Sequence, residues 1–341
     1  MTGPALRRAL CPLIACVLGF IASAQAQTPF QFPTANHALY QTGDELKFFA
    51  PTAPDKPWTS GSFGCVRNYG WRMHEGLDIR HLQTDKRGEP TDPVMATADG
   101  TVVYFNKKSG LSNYGNYVVV RHVIEGLEIY SLYAHLSEVR PGLAIGAPVK
   151  AGEVIGTMGR TSTAEVIAKD RAHVHFELNV LLNDNFAAWF KKNSTERNDH
   201  GEWNGQNLLG LDPREILVGE HNPVKKFSLL DFLRGQTELC RVLVRATNFP
   251  YLKRYPALVL KNPVAEKEGV AGYELVLNYN GVPFALLPRA ASEIKGGAKF
   301  QLLSVNEAVQ KANPCRKLVV KRGSRWQLTD GGARELELLT Y

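Results

Sequence analysis

Short apolar runs rich in β-branched residues, separated by glycine, dominate the chain between residues 58 and 182. Almost none of this stretch has the period of an amphipathic helix, whereas runs of this kind are typical of β-strands. The pattern predicts strands at residues 101–105, 117–120, 128–135 and 173–180. This part of the chain is therefore expected to be mainly β.

The flanking stretches have other patterns, and they divide the chain. Residues 27–57 are rich in proline without a sustained period, which predicts an extended lead-in. Residues 183–209 are polar and predict a surface insertion with one short helix, after which residues 211–217 close the region. At 341 residues the chain is long enough for about two domains of roughly 150 residues. We place the first domain at residues 58–220.

A second, smaller, β-rich domain is predicted for residues 221–341. Its strand candidates lie at residues 239–247, 272–278, 282–287 and 317–321. Asn280-Gly281, between two of these runs, is a strong signal for a hairpin turn. No motif in this region indicates a particular chemistry.

The net charge of +7 is unevenly distributed. Residues 27–220 hold 19 basic and 23 acidic residues, whereas residues 221–341 hold 19 and 10, which gives net charges of −4 and +9. The hydrophobic fraction of 44% and the charged fraction of 21% exclude wholesale disorder and fibrous classes. The basic C-terminal domain predicts contact with an anionic envelope surface or a regulator. An ordinary basic domain is the alternative, and no nucleic-acid motif accompanies it.

The first 26 residues have the pattern of a secretory signal peptide. Arg7 and Arg8 precede an apolar stretch at residues 9–22, and Ala24-Gln25-Ala26 has the small-x-small form of a cleavage site. A lipid anchor through Cys16 and an uncleaved anchor helix are the alternatives. We therefore expect export, to the periplasm or as a secreted or lipid-anchored protein, with no transmembrane segment after signal cleavage.

Export allows disulfides to persist. Cys11 and Cys16 fall in the signal, which leaves Cys65, Cys240 and Cys315. Cys240 and Cys315 share the C-terminal region and are the expected pair. Cys65 is then left as a small buried apolar residue.

Histidines and one aspartate between residues 74 and 175 form the candidate chemistry. His74 and Asp78 have a His-x-x-x-Asp spacing, His135 ends a predicted strand, and His173 and His175 flank one residue on another strand. Strand residues two apart point to the same face, so the last two can reach one point. Imidazoles with one carboxylate suit a catalytic zinc ion that keeps an open position. Each motif alone is weak, because an isolated His-x-His is more often exposed or hydrogen-bonded.

Further motifs lie before, between and around these residues along the chain. They are Ser62-Phe63-Gly64-x-x-Arg67, Pro93-Val94-x-Ala96-x-x-Asp99-Gly100-Thr101-Val102, Tyr114-Gly115-Asn116-Tyr117-Val118-x-Val120-x-His122, Tyr133-Ala134-His135-Leu136, Val149-x-x-Gly152-x-x-Ile155-Gly156-x-x-Gly159 and His173-Val174-His175-Phe176-Glu177. Together they resemble the lysostaphin/LytM-type zinc metallopeptidases over roughly residues 58–217. That resemblance implies an antiparallel β-sheet groove with the metal at its floor.

By position, the resemblance puts the ligands of a single zinc ion on His74, Asp78 and His175, and further active-site residues on His135 and His173. It implies an endopeptidase that hydrolyses the peptide cross-links of bacterial peptidoglycan. The sequence does not assign which of the last two histidines is the general base. The charged loop at residues 161–172 and the insertion at residues 183–209 depart from the family pattern, which affects the expected substrate preference.

Two other functions remain open. One is a non-catalytic regulator that binds and activates another cell-wall hydrolase, and the other is a secreted protease acting on glycine-rich proteins. All five positions are intact, which favours the enzyme. Arg67 has two equally favoured interpretations: it binds a carboxylate of the substrate, or it pairs with an acidic neighbour in the protein. His122 is expected to have a structural role.

Overall fold

The computed structural model describes Met1, residues 29–163 and residues 166–341. The predicted signal peptide, with its alternative anchor at Cys16, lies outside these residues apart from Met1. Within the described part of the chain, no helix combines the length and apolar character needed to cross a bilayer.

Twelve strands precede residue 212. They are β1 (Gly64–Arg67), β2 (Arg72–His74), β3 (Leu77–Arg80), β4 (Pro93–Met95), β5 (Gly100–Asn106), β6 (Asn116–Ile124), β7 (Leu127–Leu136), β8 (Glu138–Val139), β9 (Pro148–Val149), β10 (Val154–Thr157), β11 (His173–Leu181) and β12 (Leu208–Leu211). The four strands predicted in this region correspond to β5, β6, β7 and β11. The mainly β prediction is confirmed.

The remaining strands follow residue 239. They are β13 (Cys240–Val244), β14 (Gly272–Leu277), β15 (Pro283–Arg289), β16 (Phe300–Val305), β17 (Val319–Arg322) and β18 (Arg325–Leu328). The α-helices are short: α1 (Glu45–Phe48), α2 (Phe186–Asn193), α3 (Pro213–Glu220), α4 (Leu229–Arg234), α5 (Pro250–Arg254), α6 (Pro263–Glu268), α7 (Glu307–Ala312) and α8 (Asp330–Leu339).

The largest sheet has seven antiparallel strands in the order β12-β11-β7-β6-β5-β9, with β3 paired to β11 beside β12. Both faces of this sheet are covered, because Val118 and Val120 belong to one buried cluster while Tyr117 and Val119 belong to another. The two-residue period of a strand produces this division. Smaller sheets contain β1-β2, β4-β10-β8, β15-β14-β13-β16 and β17-β18.

The proline-rich lead-in packs against the main sheet. Phe30, Phe32, Phe48 and Phe49 are all buried in its large apolar cluster. The backbone N–H of Gln31 donates to the carbonyl of Thr97 at 2.6 Å. The lead-in therefore contributes to the core despite its lack of periodic pattern.

The insertion at residues 183–209 contains the expected short helix, α2, but it is not confined to the surface. Phe186, Trp189 and Phe190 are at most 2% exposed and join the large cluster. Asn183 donates from Nδ2 to the carbonyl of Leu338 at 2.7 Å. The prediction of a surface insertion was wrong for α2, whose buried face contacts α8 through Trp189 and Arg334, whereas residues 191–206 are exposed or half-buried.

The C-terminal region packs closely on the first part of the chain. One buried apolar cluster extends from Phe30 to Leu339 and crosses the predicted boundary at residue 220. The hydroxyl of Tyr255 donates to the carbonyl of Glu128 at 3.0 Å and accepts from the N–H of Leu181 at 3.0 Å. The C-terminal region is thus held by apolar packing and by buried hydrogen bonds.

The disulfide joins Cys65 to Cys315, whose Cα atoms are 5.3 Å apart and whose sequence separation is 250. The expected pairing of Cys240 with Cys315 was wrong. Cys240 lies on β13 in the middle of a sheet, is fully buried and has a free thiol. The segment after α7 instead folds back onto the β1–β2 hairpin, where Cys315 also contacts Met73. Cys240 is closer than Cys65 to Cys315 in sequence, but Cys65 is the residue that lies beside it in the fold.

Replacing Cys65 or Cys315 by serine should destabilise the fold by about 2–4 kcal/mol, because the bridge restricts the unfolded chain. Denaturant titration of the variants measures this change. Mass spectrometry of a non-reduced digest should show a peptide containing both residues. Cys240 should resist alkylation in the native protein, since burial raises the pKa of its thiol to about 12. A peptide linking Cys240 to Cys315 would contradict the assignment.

Candidate metal centre and active site

Three strands bring His74, Asp78 and His175 to one point. In the antiparallel pairing of β3 with β11, Asp78 lies directly opposite His175. β2 ends at His74, four residues before Asp78. All three side chains are buried, with 3–6% of each residue exposed.

The donor atoms of these residues form a nearly equilateral triangle. Nε2 of His74 lies 3.0 Å from Nδ1 of His175, and each nitrogen lies 3.1 Å from Oδ1 of Asp78. Donors bound to a tetrahedral zinc ion at about 2.0–2.1 Å lie about 3.3 Å apart. Two imidazoles and one carboxylate at this separation therefore fit one divalent metal ion, and the three residues form a candidate metal cluster.

The second nitrogen of each ring has a partner of its own. Nδ1 of His74 lies 2.7 Å from the carbonyl oxygen of Ser62, to which it donates. Nε2 of His175 lies 2.7 Å from Oε1 of Glu177. These bonds fix the tautomer that leaves Nε2 of His74 and Nδ1 of His175 as donors to a metal. The sequence did not identify either partner.

Glu177 is itself fixed by hydrogen bonds. The hydroxyl of Tyr114 donates to its Oε1 at 2.7 Å, and Nδ2 of Asn179 donates to its Oε2 at 2.9 Å. Glu177 is 1% exposed. Its place on β11, two residues after His175, puts both side chains on one face of the strand. That spacing was the sequence signal for its role.

Arg67 contacts the aspartate. Nη2 of Arg67 lies 2.5 Å from Oδ2 of Asp78, so one carboxylate oxygen is paired and Oδ1 faces the two rings. Of the two interpretations of Arg67, the structure shows the pairing with an acidic neighbour.

The electrostatic environment of the triangle favours a cation. Burial lowers the pKa of His74 to about 4, so this ring is neutral and its Nε2 lone pair is available. Burial alone would lower the pKa of His175, but hydrogen bonds to Asp78 and Glu177 raise it to about 10. A divalent ion would supply the positive charge that these carboxylates favour.

Asp78 is held as a carboxylate. Burial acts to raise its pKa, but His173, His74 and Arg67 together lower it well below its ordinary value. A deprotonated oxygen is the form that binds a metal.

His135 and His173 stand next to the triangle. Their ring centroids are 4.9 Å apart, and the ring of His135 lies 6.0 Å from that of His175. Nδ1 of His135 donates to the carbonyl of Thr161 at 2.8 Å, and Nδ1 of His173 donates to that of Arg171 at 2.7 Å. Nε2 of each ring therefore carries the lone pair.

Burial lowers the pKa of both rings, to about 3 for His135. Nε2 of His173 lies 3.4 Å from Oδ1 of Asp78. Both histidines are thus neutral proton acceptors beside the candidate metal centre.

The backbone at His135 is in the left-handed region, with φ at 62°, which is unfavourable for a residue with a side chain. The neighbouring loop holds it there. Gly115, with φ at 61°, passes so close to Thr161 that a Cβ would lie 2.2 Å from that carbonyl oxygen. Because Gly115 has no side chain, the loop that contains Thr161 can come close to it. The carbonyl of Thr161 is thereby placed to accept the hydrogen bond from Nδ1 of His135. Strain of this kind is often found at functional sites.

An open groove of about 560 Å³ contains the whole constellation. Its lining includes the cationic residues Lys56, Arg67, Arg72 and Arg171. The lead-in contributes one wall at Thr52, and loops contribute Asn113 and Ser162.

Three further residues of this region, His122, His81 and Tyr133, have structural contacts. His122 is fully buried between the carbonyl of Asp99, at 2.9 Å, and the hydroxyl of Ser131, at 2.7 Å. His81 bonds the carbonyl of Ala172 at 2.9 Å. Tyr133 is buried, and its hydroxyl accepts from the N–H of Thr97.

Comparison with known proteins supports one family. The profile described as "Peptidase family M23" matches residues 72–187, within the part of the chain that carries the motifs. Lipoprotein NlpD of Yersinia enterocolitica is 35% identical over 94 residues, which are 28% of this chain and 84% of that protein.

Two longer relatives are matched over smaller shares of their own length. DD-carboxypeptidase/endopeptidase Mpg of Neisseria meningitidis serogroup B is 36% identical over 114 residues, 33% of this chain and 23% of that protein. Murein hydrolase activator NlpD of Salmonella typhimurium is 32% identical over 156 residues, 45% of this chain and 36% of that protein. The chain therefore spans less than half the length of either relative.

Alanine at His74, Asp78 or His175 should abolish stoichiometric binding of a metal ion, because two donors cannot hold it. Elemental analysis of dialysed protein measures the metal content per chain. Alanine at His135 or His173 should leave the content unchanged, and so should His81→Ala, the control outside the triangle. Full metal content in any one of the three ligand variants would contradict the assignment.

Glu177→Gln should weaken metal binding roughly 10–100-fold, since the amide orients His175 less well than the carboxylate. Competition with a chromogenic chelator measures the affinity. Tyr114→Phe is the matched control, because it removes one bond to Glu177 and keeps the carboxylate. Equal affinity in the Glu177→Gln variant and the unsubstituted protein would show that Glu177 does not position the ligand.

Proposed function

Since the chain belongs to peptidase family M23, we propose that it is an exported zinc-dependent endopeptidase that hydrolyses peptide cross-links of bacterial peptidoglycan. The triangle formed by His74, Asp78 and His175 lies beside His135 and His173 in one open groove, and this convergence is the main support for an enzyme. A metal triangle alone is compatible with a structural site, whereas two further neutral histidines beside it provide for catalysis.

The proposed ligands of zinc are Nε2 of His74, Oδ1 of Asp78 and Nδ1 of His175. Three protein donors leave a position open to water and substrate, as catalytic zinc sites do. A bound zinc ion would supply Lewis acidity toward the scissile carbonyl and the attacking water. Ser62, Glu177 and the Arg67 side chain hold the ligands in orientation.

Proton transfer is assigned to His135 and His173. Each ring begins neutral with its lone pair on Nε2, so either can accept a proton from the attacking water. The protonated ring can then donate a hydrogen bond to the developing oxyanion or return the proton to the leaving amine. The backbone carbonyls of Thr161 and Arg171 keep both rings in place throughout.

The charge of the groove supports an anionic peptide as substrate. Its lining includes four cationic residues, Lys56, Arg67, Arg72 and Arg171, and two acidic ones, Glu75 and Asp78, so that cations outnumber carboxylates. Stem peptides of peptidoglycan carry free carboxylates, and such a groove attracts them. The relative from Neisseria is named a DD-carboxypeptidase/endopeptidase, which supports a cell-wall peptide as substrate.

Export is part of the proposal, since peptidoglycan lies outside the cytoplasm. The predicted signal peptide and the disulfide between Cys65 and Cys315 support it. The basic region at residues 221–341 is proposed to face the anionic envelope or a regulatory partner.

A murein hydrolase activator is the second candidate function, because one relative carries that name. An activator that only binds its partner has no need for a metal triangle and two proton acceptors. The intact set of five residues therefore favours catalysis by this chain.

The test is digestion of purified cross-linked peptidoglycan with the mature protein, followed by chromatography and mass spectrometry of the fragments. We expect loss of cross-linked fragments, block by a chelator, and recovery with zinc. His135→Ala and His173→Ala should each lower turnover by about 10²–10⁴-fold while keeping the metal.

The outcomes separate the two functions. An inert digest with a full complement of zinc, together with stimulation of a second hydrolase, would establish the activator instead. Full activity in both histidine variants would overturn the proton-transfer roles. The matched control is His81→Ala, which should cleave at the rate of the unsubstituted protein.

A further inference from the structure

A second cavity lies where the C-terminal region meets the first part of the chain. It has a volume of about 210 Å³. Its walls come from Trp189 and residues 205–210 on one side, and from Asn280, Arg316 and helix α8 on the other. Neither part of the chain forms this cavity alone.

The cavity adjoins the catalytic groove. Glu75 lines both of them, and it directly follows the metal ligand His74. The two cavities therefore share a wall at Glu75. Each extended residue spans about 3.3–3.6 Å, so a short peptide that lies in the groove can extend along this wall.

One hydrogen bond joins the two walls, and further contacts hold the C-terminal wall together. Nδ2 of Asn280 donates to the carbonyl of Gly210 at 2.8 Å. Nη2 of Arg316 donates to the carbonyl of Asn280 at 3.1 Å and pairs with Glu335. These bonds tie the residues of the cavity wall to one another.

The lining holds two arginines, Arg316 and Arg334, and two carboxylates, Glu75 and Glu335, and Arg334 is the arginine without a carboxylate partner among the described residues. Arg316 forms an ion pair with the carboxylate of Glu335, and its buried Nε has no hydrogen-bond partner. The guanidinium of Arg334 lies 5.0 Å above the ring of Trp189, and it has no ion pair with a carboxylate in the described residues. A stacked guanidinium keeps its planar edge free for bidentate contact with a carboxylate.

We propose that this cavity is a substrate subsite that binds a carboxylate-bearing residue of the peptide, with Arg334 as its specificity-determining contact. The inference rests on the proposed function, since it takes the occupant of the groove to be a peptide. It gives the C-terminal region a part in recognition, because Arg316 and Arg334 both belong to it. Glu75 is the acceptor available to an amide or ammonium group of the same peptide.

Isothermal titration of a synthetic stem tetrapeptide tests the subsite. The protein is the full mature chain loaded with zinc and carrying His135→Ala, so that the peptide is not cleaved. Two probes are compared, the tetrapeptide with free carboxylates and the same tetrapeptide with its carboxylates amidated. Arg334→Ala should raise the Kd of the free form at least tenfold, and amidation should raise it by a similar factor.

Two further variants control the measurement. Arg334→Lys keeps the charge without the planar edge and should recover only part of the affinity. Arg325→Ala removes an exposed arginine on β18, away from the cavity, and should bind as tightly as the parent. Unchanged melting temperature and zinc content in Arg334→Ala exclude a general structural defect.

The subsite is overturned if Arg334→Ala binds the free tetrapeptide as tightly as the parent, or if the amidated form binds equally well. Cleavage of peptidoglycan by a protein with that result would leave the proposed function intact and remove only the subsite. Binding that depends on Arg334, in a protein that never cleaves peptidoglycan, would keep the subsite and overturn the enzyme.

Discussion

The pairing of β3 with β11 is the constraint on which the site depends. Its register places Asp78 opposite His175, and a slip by one residue would turn one of these side chains to the other face of the sheet. The buried apolar residues Ile79, Val174 and Phe176 on the same two strands hold that register. The core thus fixes the geometry of the polar centre, and the cost of burying these polar groups is offset by their mutual contacts.

Each functional side chain has a second partner that fixes its orientation. The backbone carbonyl oxygens of Ser62, Thr161 and Arg171 accept hydrogen bonds from three of the histidine rings. The carboxylate of Glu177 is bonded to the fourth ring, that of His175. The partners come from separate loops and strands, so the constellation forms only in the complete fold. The Cys65–Cys315 bridge extends this dependence to the C-terminal region, since Cys65 lies on the strand paired with the one that ends at His74.

The strand pattern and the metal-type residues could be predicted from sequence, because a two-residue period and a His-x-x-x-Asp spacing are local signals. Contacts between segments that are far apart in sequence could not be predicted in this way. Cys315 is bonded to Cys65 although the two are 250 positions apart, and Trp189 is buried next to Arg334 of α8. Ser62 contributes a carbonyl oxygen, which no residue type reveals. Glu177 was visible as part of a motif, and the strand period then explains its contact with His175.

Anomalous diffraction at the zinc edge, from crystals of the mature protein, would show which residues hold the metal ion. We expect one zinc ion bonded to Nε2 of His74, Oδ1 of Asp78 and Nδ1 of His175 at about 2.0–2.2 Å, with the remaining position open to solvent in the groove. An ion closed off by a fourth protein ligand, or located away from this triangle, would contradict it.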